Sequence, residues 1–288
     1  MFTLNCKGRL LCFDQPVVMG IINVTPDSFY SDSRMDNVQQ ILDRAGKMIH
    51  EGAQILDIGG QSTRPGSQRI SDDDEISRVI PAIQAIHKAF PEQLISVDTF
   101  YSRVAREAVR SGALMVNDVS AGIIDNRLIP SVIEMGVPYV LMHMRGRPET
   151  MQEEPTYENV TQEVFDFLSF KTRQLVQEGL KDIIVDVGFG FGKTREHNFQ
   201  LLRELSVFQN LEKPLMVGIS RKASIYKTLG VTAEEALNGS TVLHTIALMH
   251  GAQILRVHDV LEAVQAVKLF TEIKKEKSSY TALLPVPD

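Results

Sequence analysis

A single α/β domain closed as a (β/α)8 TIM barrel is the fold class this sequence predicts, and two observations carry the prediction. Eight short apolar runs, VVMGII, ILDI, LISV, ALMV, YVLM, DIIV, LMVG and ILRV, follow one another at spacings wide enough for an intervening helix. Each leads into a residue that can do chemistry: in order Asn23, Asp57, Asp98, Asn117, His143, Asp186, Ser220 with Lys222, and His258 just past Arg256. Parallel strands are buried on both faces and read as continuous apolar runs, so polar groups belong where the strands end. In a barrel those ends meet at one rim, which is where catalytic residues gather. The length of 288 residues suits one such barrel, whose usual size is about 250 residues.

Helices fill the gaps between runs. Behind Asp36, the residues Val38, Ile41, Leu42, Ala45, Met48 and Ile49 recur at helical spacing, with Gln39 three residues on as in a capping box. Val160, Val164, Phe167, Leu168 and Leu175 mark a second helix. Val260, Val264 and Val267 mark a third behind Asp259, with Glu262 as the capping partner. No repeat and no Gly/Ser linker divides the chain, so one domain is expected over residues 1–275. The polar, Pro-containing tail 276–288 is expected to fray.

Two connections, 24–36 and 59–72, are long for βα loops, which usually have about 2 to 6 residues. Their Gly, Ser, Asp and Pro residues, with Phe29, Asp32 and Arg64 able to cover a ligand, read as lids.

Composition narrows the function. A net charge of −6, with no long basic run, speaks against a nucleic-acid partner, which needs clustered positive charge. No apolar stretch is long enough for a membrane span and no signal segment opens the chain, so a cytoplasmic protein is expected. Cys6 and Cys12 lack zinc spacing and read as reduced structural thiols.

The glycine stretch GFGFGKT at 188–194 fails the phosphate-loop pattern by one residue, because Val187 stands where the first glycine belongs. It reads either as a loop that lets a flat ligand approach the backbone beside Phe191 or as a structural turn. Asp98 and Asp186, with Asn117, suit the N–H-rich edge of an aminopyrimidine, to which a carboxylate can accept two parallel hydrogen bonds. The alternative is that such aspartates cap the following helices, and Asp57 fits that structural role best. Lys222, Arg256 and His258, after the last two runs, suggest a phosphorylated substrate, since barrels often bind phosphate there. Asn23 adjoins them if the barrel closes, and its amide oxygen suits a Mg2+ already held by phosphate and water. His143 has no such companion and reads as structural.

The segments NVTPDSF (23–29), ILDIGGQSTRPG (55–66), SVDT (96–99), NDVSAG (117–122), GFGFGK (188–193), GISRK (218–222) and RVHDV (256–260) together resemble the dihydropteroate synthase family. The resemblance implies condensation of 6-hydroxymethyl-7,8-dihydropterin diphosphate with 4-aminobenzoate, giving 7,8-dihydropteroate and pyrophosphate, the step of folate synthesis that sulfonamides inhibit. It implies catalytic Asp98, Asp186 and Lys222 and a pterin pocket of Asp98, Asn117, Asp186, Lys222 and Arg256. It puts the diphosphate near Asn23, Thr63, Arg64, Arg256 and His258, with Mg2+ on Asn23. Aminobenzoate would lie near Thr63, Pro65, Phe191 and Ser220, and Phe29 and Asp32 would belong to the first lid. It also implies a homodimer.

This chain departs from the family pattern at Tyr30, which reads as an insertion in the first lid, at Phe100 and Tyr101, where a lysine is frequent, and at Val187, a usual proline position. Two other readings remain in view. A methyltetrahydrofolate-dependent corrinoid methyltransferase would share the pterin barrel but needs no diphosphate site, against which the SRK segment, Arg256 and His258 argue. A non-catalytic pterin-binding paralogue would explain the altered first lid.

Overall fold

The computed structural model describes residues 1–24, 34–61, 69–146 and 155–275, with side chains omitted for 34–37. Phe29, Tyr30, Asp32, Thr63, Arg64 and Pro65, and the tail 276–288, lie outside the described residues, as do the central parts of both long connections.

The chain opens with a feature the sequence reading did not anticipate, an antiparallel hairpin of β1 (Phe2–Cys6) and β2 (Arg9–Phe13). Cys6 pairs with Arg9, leaving Lys7 and Gly8 as a two-residue turn with left-handed φ of 54° and 91°. Two positive φ angles match the turn to the twist of the strands. Asn5 Oδ1 accepts from Gly8 N at 2.7 Å and steadies the turn. Both cysteines are free thiols; Cys6 is buried, whereas Cys12 is exposed.

All eight apolar runs become strands: β3 (Val17–Asn23), β4 (Ile55–Gly59), β5 (Leu94–Asp98), β6 (Met115–Asp118), β7 (Tyr139–Met142), β8 (Ile183–Asp186), β9 (Leu215–Val217) and β10 (Ile254–Val257). They close as a parallel barrel in the order β10-β3-β4-β5-β6-β7-β8-β9. The helices α1 (Arg34–Glu51), α2 (Asp72–Ala89), α3 (Ser102–Arg110), α4 (Leu128–Met135), α5 (Val160–Gln177), α6 (Arg195–Arg203), α7 (Ala223–Leu229), α8 (Leu237–Met249) and α9 (Val260–Lys274) cover its outer face.

The expected capping signals of α1 and α9 do not operate as read. Helix α1 starts at Arg34, two residues before Asp36, and Gln39 Nε2 donates along the helix to Asp43 Oδ1. Asp259 stands at the N-cap of α9 but makes no side-chain cap, because its carboxylate is committed to Arg221.

Period-two alternation sorts the strand residues into two environments. Leu56, Ile58, Ile95, Val97, Val116, Leu141, Val185, Val217, Leu255 and Val257 pack outward with the helices. Val17, Met19, Ile55, Leu94, Met115, Val140, Ile184, Met216 and Ile254 fill the barrel, sealed below by Phe2, Leu4 and Cys6 of the hairpin. Two residues further along the strands, the inward positions fall on Asp57, Asn117, Asp186 and Arg256. The apolar layer therefore ends where the polar rim begins.

Candidate active site

Arg256 is the centre of the rim. Its Nε donates to Asp57 Oδ2 at 2.7 Å and its Nη2 donates to Asp98 Oδ2 at 2.6 Å. Asn117 Nδ2 also donates to Asp57 Oδ2, at 2.9 Å. Asp57 is 0% exposed, and its Oδ1 has no hydrogen-bond partner among the described residues. Asp57 therefore does not cap a helix; it supports the rim by fixing a guanidinium and an amide at once. Burial alone would lower the basicity of Arg256, but Asp57 and Asp98 more than reverse this and keep it charged.

The other ionisable groups are shifted by burial. The carboxyl of Asp98 is pushed up to about 7 by burial, against the pull of Arg256, with Asp57 adding to the rise. Burial also raises Asp186, and Lys222 opposes it. Lys222 is lowered to about 8 by burial, with Asp186 opposing. Perturbed groups gathered in one place are a mark of functional sites.

Asp186 Oδ1 accepts from Gly188 N at 2.8 Å, which ties the strand end to the glycine loop. Gly188, Gly190 and Gly192 all have left-handed φ, of 71°, 81° and 62°. A Cβ on Gly188 would stand 1.9 Å from His143 O, and one on Gly192 would stand 2.3 Å from Arg145 O. These two glycines thus admit the protein's own backbone, so the loop is a structural turn at these points. Lys222 Nζ donates to Phe189 O and lies 4.7 Å from the Phe191 ring centroid. Phe191 packs beside the buried apolar group Phe100, Val119 and Met142, a flank the sequence reading did not find.

On the opposite side, β10 pairs with β3, so Asn23 at the end of β3 and His258 just after β10 belong to neighbouring strand ends, as expected. His258 Nδ1 lies 3.2 Å from Ser220 Oγ, which also accepts from His258 N at 3.2 Å. His258 is lowered to about 4 by burial, reinforced by Arg256, so it is neutral at pH 7. Its imidazole therefore stands at the rim as a neutral hydrogen-bonding group. Arg221, between Ser220 and Lys222, serves the architecture of the site. At φ 52° it makes a two-point ion pair with Asp259, both contacts at 2.8 Å, and its Nη1 donates to Ala233 O and Glu234 O. That staple fixes Ser220 and Lys222 relative to His258.

Tyr101 Oη donates to Ile70 O and accepts from Arg69 Nε, and the Arg69 guanidinium lies 4.8 Å and 5.0 Å from the Phe100 and Tyr101 rings. The aromatic pair therefore anchors the end of the second long connection. Val187 is buried in the outer core. Among the described residues no group of three His, Cys, Asp or Glu could hold a metal.

A family profile described as "Pterin binding enzyme" matches residues 19–258. The chain is 41% identical over 281 residues to the dihydropteroate synthase of Escherichia coli, covering 96% of this chain and 99% of that one. The Xanthomonas albilineans dihydropteroate synthase solved with 4-aminobenzoic acid superposes with a TM-score of 0.88 at 39% identity, covering 95% of this chain and 98% of the other. The Yersinia pestis enzyme in a sulfonamide drug complex gives 0.89 at 38% identity, covering 96% and 100%. With a partly buried Asp/Asn/Lys/Arg rim on a closed eight-stranded parallel barrel, this chain belongs to the dihydropteroate synthase family of pterin-binding enzymes.

Proposed function

We infer that this chain condenses 6-hydroxymethyl-7,8-dihydropterin diphosphate with 4-aminobenzoate, releasing pyrophosphate and forming 7,8-dihydropteroate. The observation that carries the reading is the array of Asp98, Arg256, Asp57 and Asn117 on one side and Asp186 with Lys222 on the other, in a barrel mouth of this family. Asp98, Asn117 and Asp186 present acceptors and a donor to the pterin edge. Lys222 and Arg256 border the ring. Gly218 leaves the space between Arg256 and Asp186 open, since a Cβ there would stand 3.9 Å from each.

The diphosphate lies toward Asn23, Arg256 and His258, where strands β3 and β10 adjoin. The donor set fits a Mg2+ that arrives with the diphosphate. Asn23 supplies a neutral oxygen, and such an ion commonly takes few protein ligands and completes its shell with phosphate and water. When bound, Mg2+ would offset the charge of the departing pyrophosphate. The carbon–oxygen bond to the diphosphate breaks, positive charge develops on the pterin methylene, the aminobenzoate nitrogen bonds to that carbon, and the amine gives up a proton. The fixed carboxylates of Asp98 and Asp186 stabilise the developing cation without reorganising, the kind of electrostatic contribution that dominates many enzymes. Phe191 and Ser220 border the aminobenzoate.

The purified chain incubated with the pterin diphosphate, Mg2+ and aminobenzoate should yield dihydropteroate and pyrophosphate in equal amounts. Formation of neither would overturn the reading. We further propose a homodimer through α8, where Val242, Ile246 and Met249 form an exposed apolar stripe at helical spacing. A mass of one chain by light scattering would refute it. No helix among the described residues is long and apolar enough to cross a membrane.

A further inference from the structure

Lys193 closes the glycine motif and is 2% exposed, yet the chemistry above does not use it. Its Nζ lies 3.0 Å from His143 Nδ1 and donates to His143 O at 3.3 Å and to Phe191 O at 3.0 Å. In its charged form the amine has three protons to donate, and three acceptors surround it. Burial holds His143 neutral, down to about 2, so Nδ1 can accept while Nε2 carries the proton. Burial lowers Lys193 to about 7; of the charged groups facing it, Asp186 favours the cation and Lys222 opposes it.

The contacts of Lys193 lie beneath the pterin side of the rim. A Cβ on Gly188 would stand 3.3 Å from Lys193 Nζ, and Gly188 N is the donor that orients Asp186. Phe191, whose carbonyl Lys193 holds, carries the ring against which Lys222 rests. Tyr157 Oη donates to Gly192 O at 2.8 Å and Asn198 Oδ1 accepts from Gly190 N at 2.7 Å, so the loop is held by side chains from several elements. Lys193 is the one among these that links the loop to the end of β7 and lies against Asp186 electrostatically.

We propose that Lys193, through its bonds to His143 and the Phe191 carbonyl, is a positioning residue for pterin recognition, holding Asp186, Phe191 and Lys222 in mutual register without touching the substrate. The inference rests on the placement of the pterin against Asp186. The test compares binding of 6-hydroxymethylpterin with binding of pyrophosphate plus Mg2+, by calorimetry, in the full chain. Lys193→Met should weaken pterin binding by about tenfold or more, the scale of one hydrogen bond to a charged group, and leave pyrophosphate binding within about twofold. Equal losses for both ligands, or no loss for either, would overturn the proposal. Asp186→Asn separates the two readings: if it binds pterin as the wild type does, the pterin placement fails, whereas loss there with intact binding in Lys193→Met refutes only the role of Lys193. Should Lys193→Met not fold, the wild-type chain decides. The imidazole 15N resonances of His143 should move on adding pterin and stay fixed on adding pyrophosphate; fixed resonances with both, or equal shifts with both, refute the linkage.

Discussion

Asp57→Asn probes how the rim is organised. The substitution keeps the shape and leaves an oxygen to accept from Asn117, but it removes the charge from one of the two carboxylates that hold Arg256. Removing one partner of a buried ion pair costs about 3 to 5 kcal/mol when the other charge is left unpaired. Here Asp98 still binds Arg256 at 2.6 Å and the new amide oxygen still accepts, so a loss of about 2 kcal/mol is expected, the scale of one charge-assisted hydrogen bond. For a domain of this size that lowers the melting temperature by roughly 4 to 8 °C. The catalytic effect has a specific sign. Asp57 adds to the elevation of Asp98, which stands at about 7, so removing its charge lets Asp98 ionise at lower pH. If the ionised Asp98 is the active form, kcat/KM falls on the acid side near pH 7 in the wild type and should fall at a lower pH in the variant. At pH 8, kcat/KM for the pterin diphosphate should drop roughly ten- to a hundredfold, because Arg256 loses one of two anchors and misplacement of a positioned group costs rate steeply. Calorimetric melting and a pH profile of initial rates measure both effects. An acid limb that stays in place or moves upward, in a variant that folds normally, would refute the account of Asp57 as the group that tunes Asp98 through the rim.

Three further outcomes are expected. Lys222→Ala should abolish turnover and leave the fold intact by circular dichroism, since Lys222 stands at the site rather than in the apolar core; unchanged turnover would remove it from the machinery. Glu75 on α2 is fully buried, neither of its oxygens has a hydrogen-bond partner among the described residues, and burial raises it to about 8 against the nearby Thr99 hydroxyl. Because its acid is stronger in the unfolded chain, the folded state binds the extra proton between about pH 4.5 and 8, and stability falls as pH rises through that window. Glu75→Gln should flatten that slope, which denaturant titrations at several pH values would detect; an unchanged slope means another group carries it. Gly188→Ala should lose soluble protein or activity, because its Cβ would meet His143 O at 1.9 Å and its φ of 71° disfavours any side chain; a fully active Gly188→Ala enzyme would contradict the packing of this loop.

The barrel was legible because burial on both faces imposes a pattern that a linear sequence records directly. VVMGII through ILRV each became a strand, and Asp98, Asn117, Asp186 and Arg256 lie at or near the rim where the runs end. The hairpin β1–β2 was less legible: its alternation is short, and the reason for it, sealing the barrel floor with Phe2, Leu4 and Cys6, exists only when nine other residues from eight strands meet there. The same limit applied to capping. Asp259 has the right spacing for an N-cap, but Arg221, 38 residues away, takes its carboxylate instead.

By itself, then, the sequence determined the fold, the family resemblance and which side chains gather at one end of the barrel, because alternation, spacing and motif order are local properties of the chain. Tertiary structure alone decided how those side chains divide the work. It made Asp57 the anchor of Arg256, turned His258 into a neutral partner of Ser220, joined Lys193 to His143, and set Arg221 against Asp259. Each of these depends on which groups of like or opposite charge share a dry space, and on the cost of leaving any of them unpaired there, quantities that arise only when distant segments pack together.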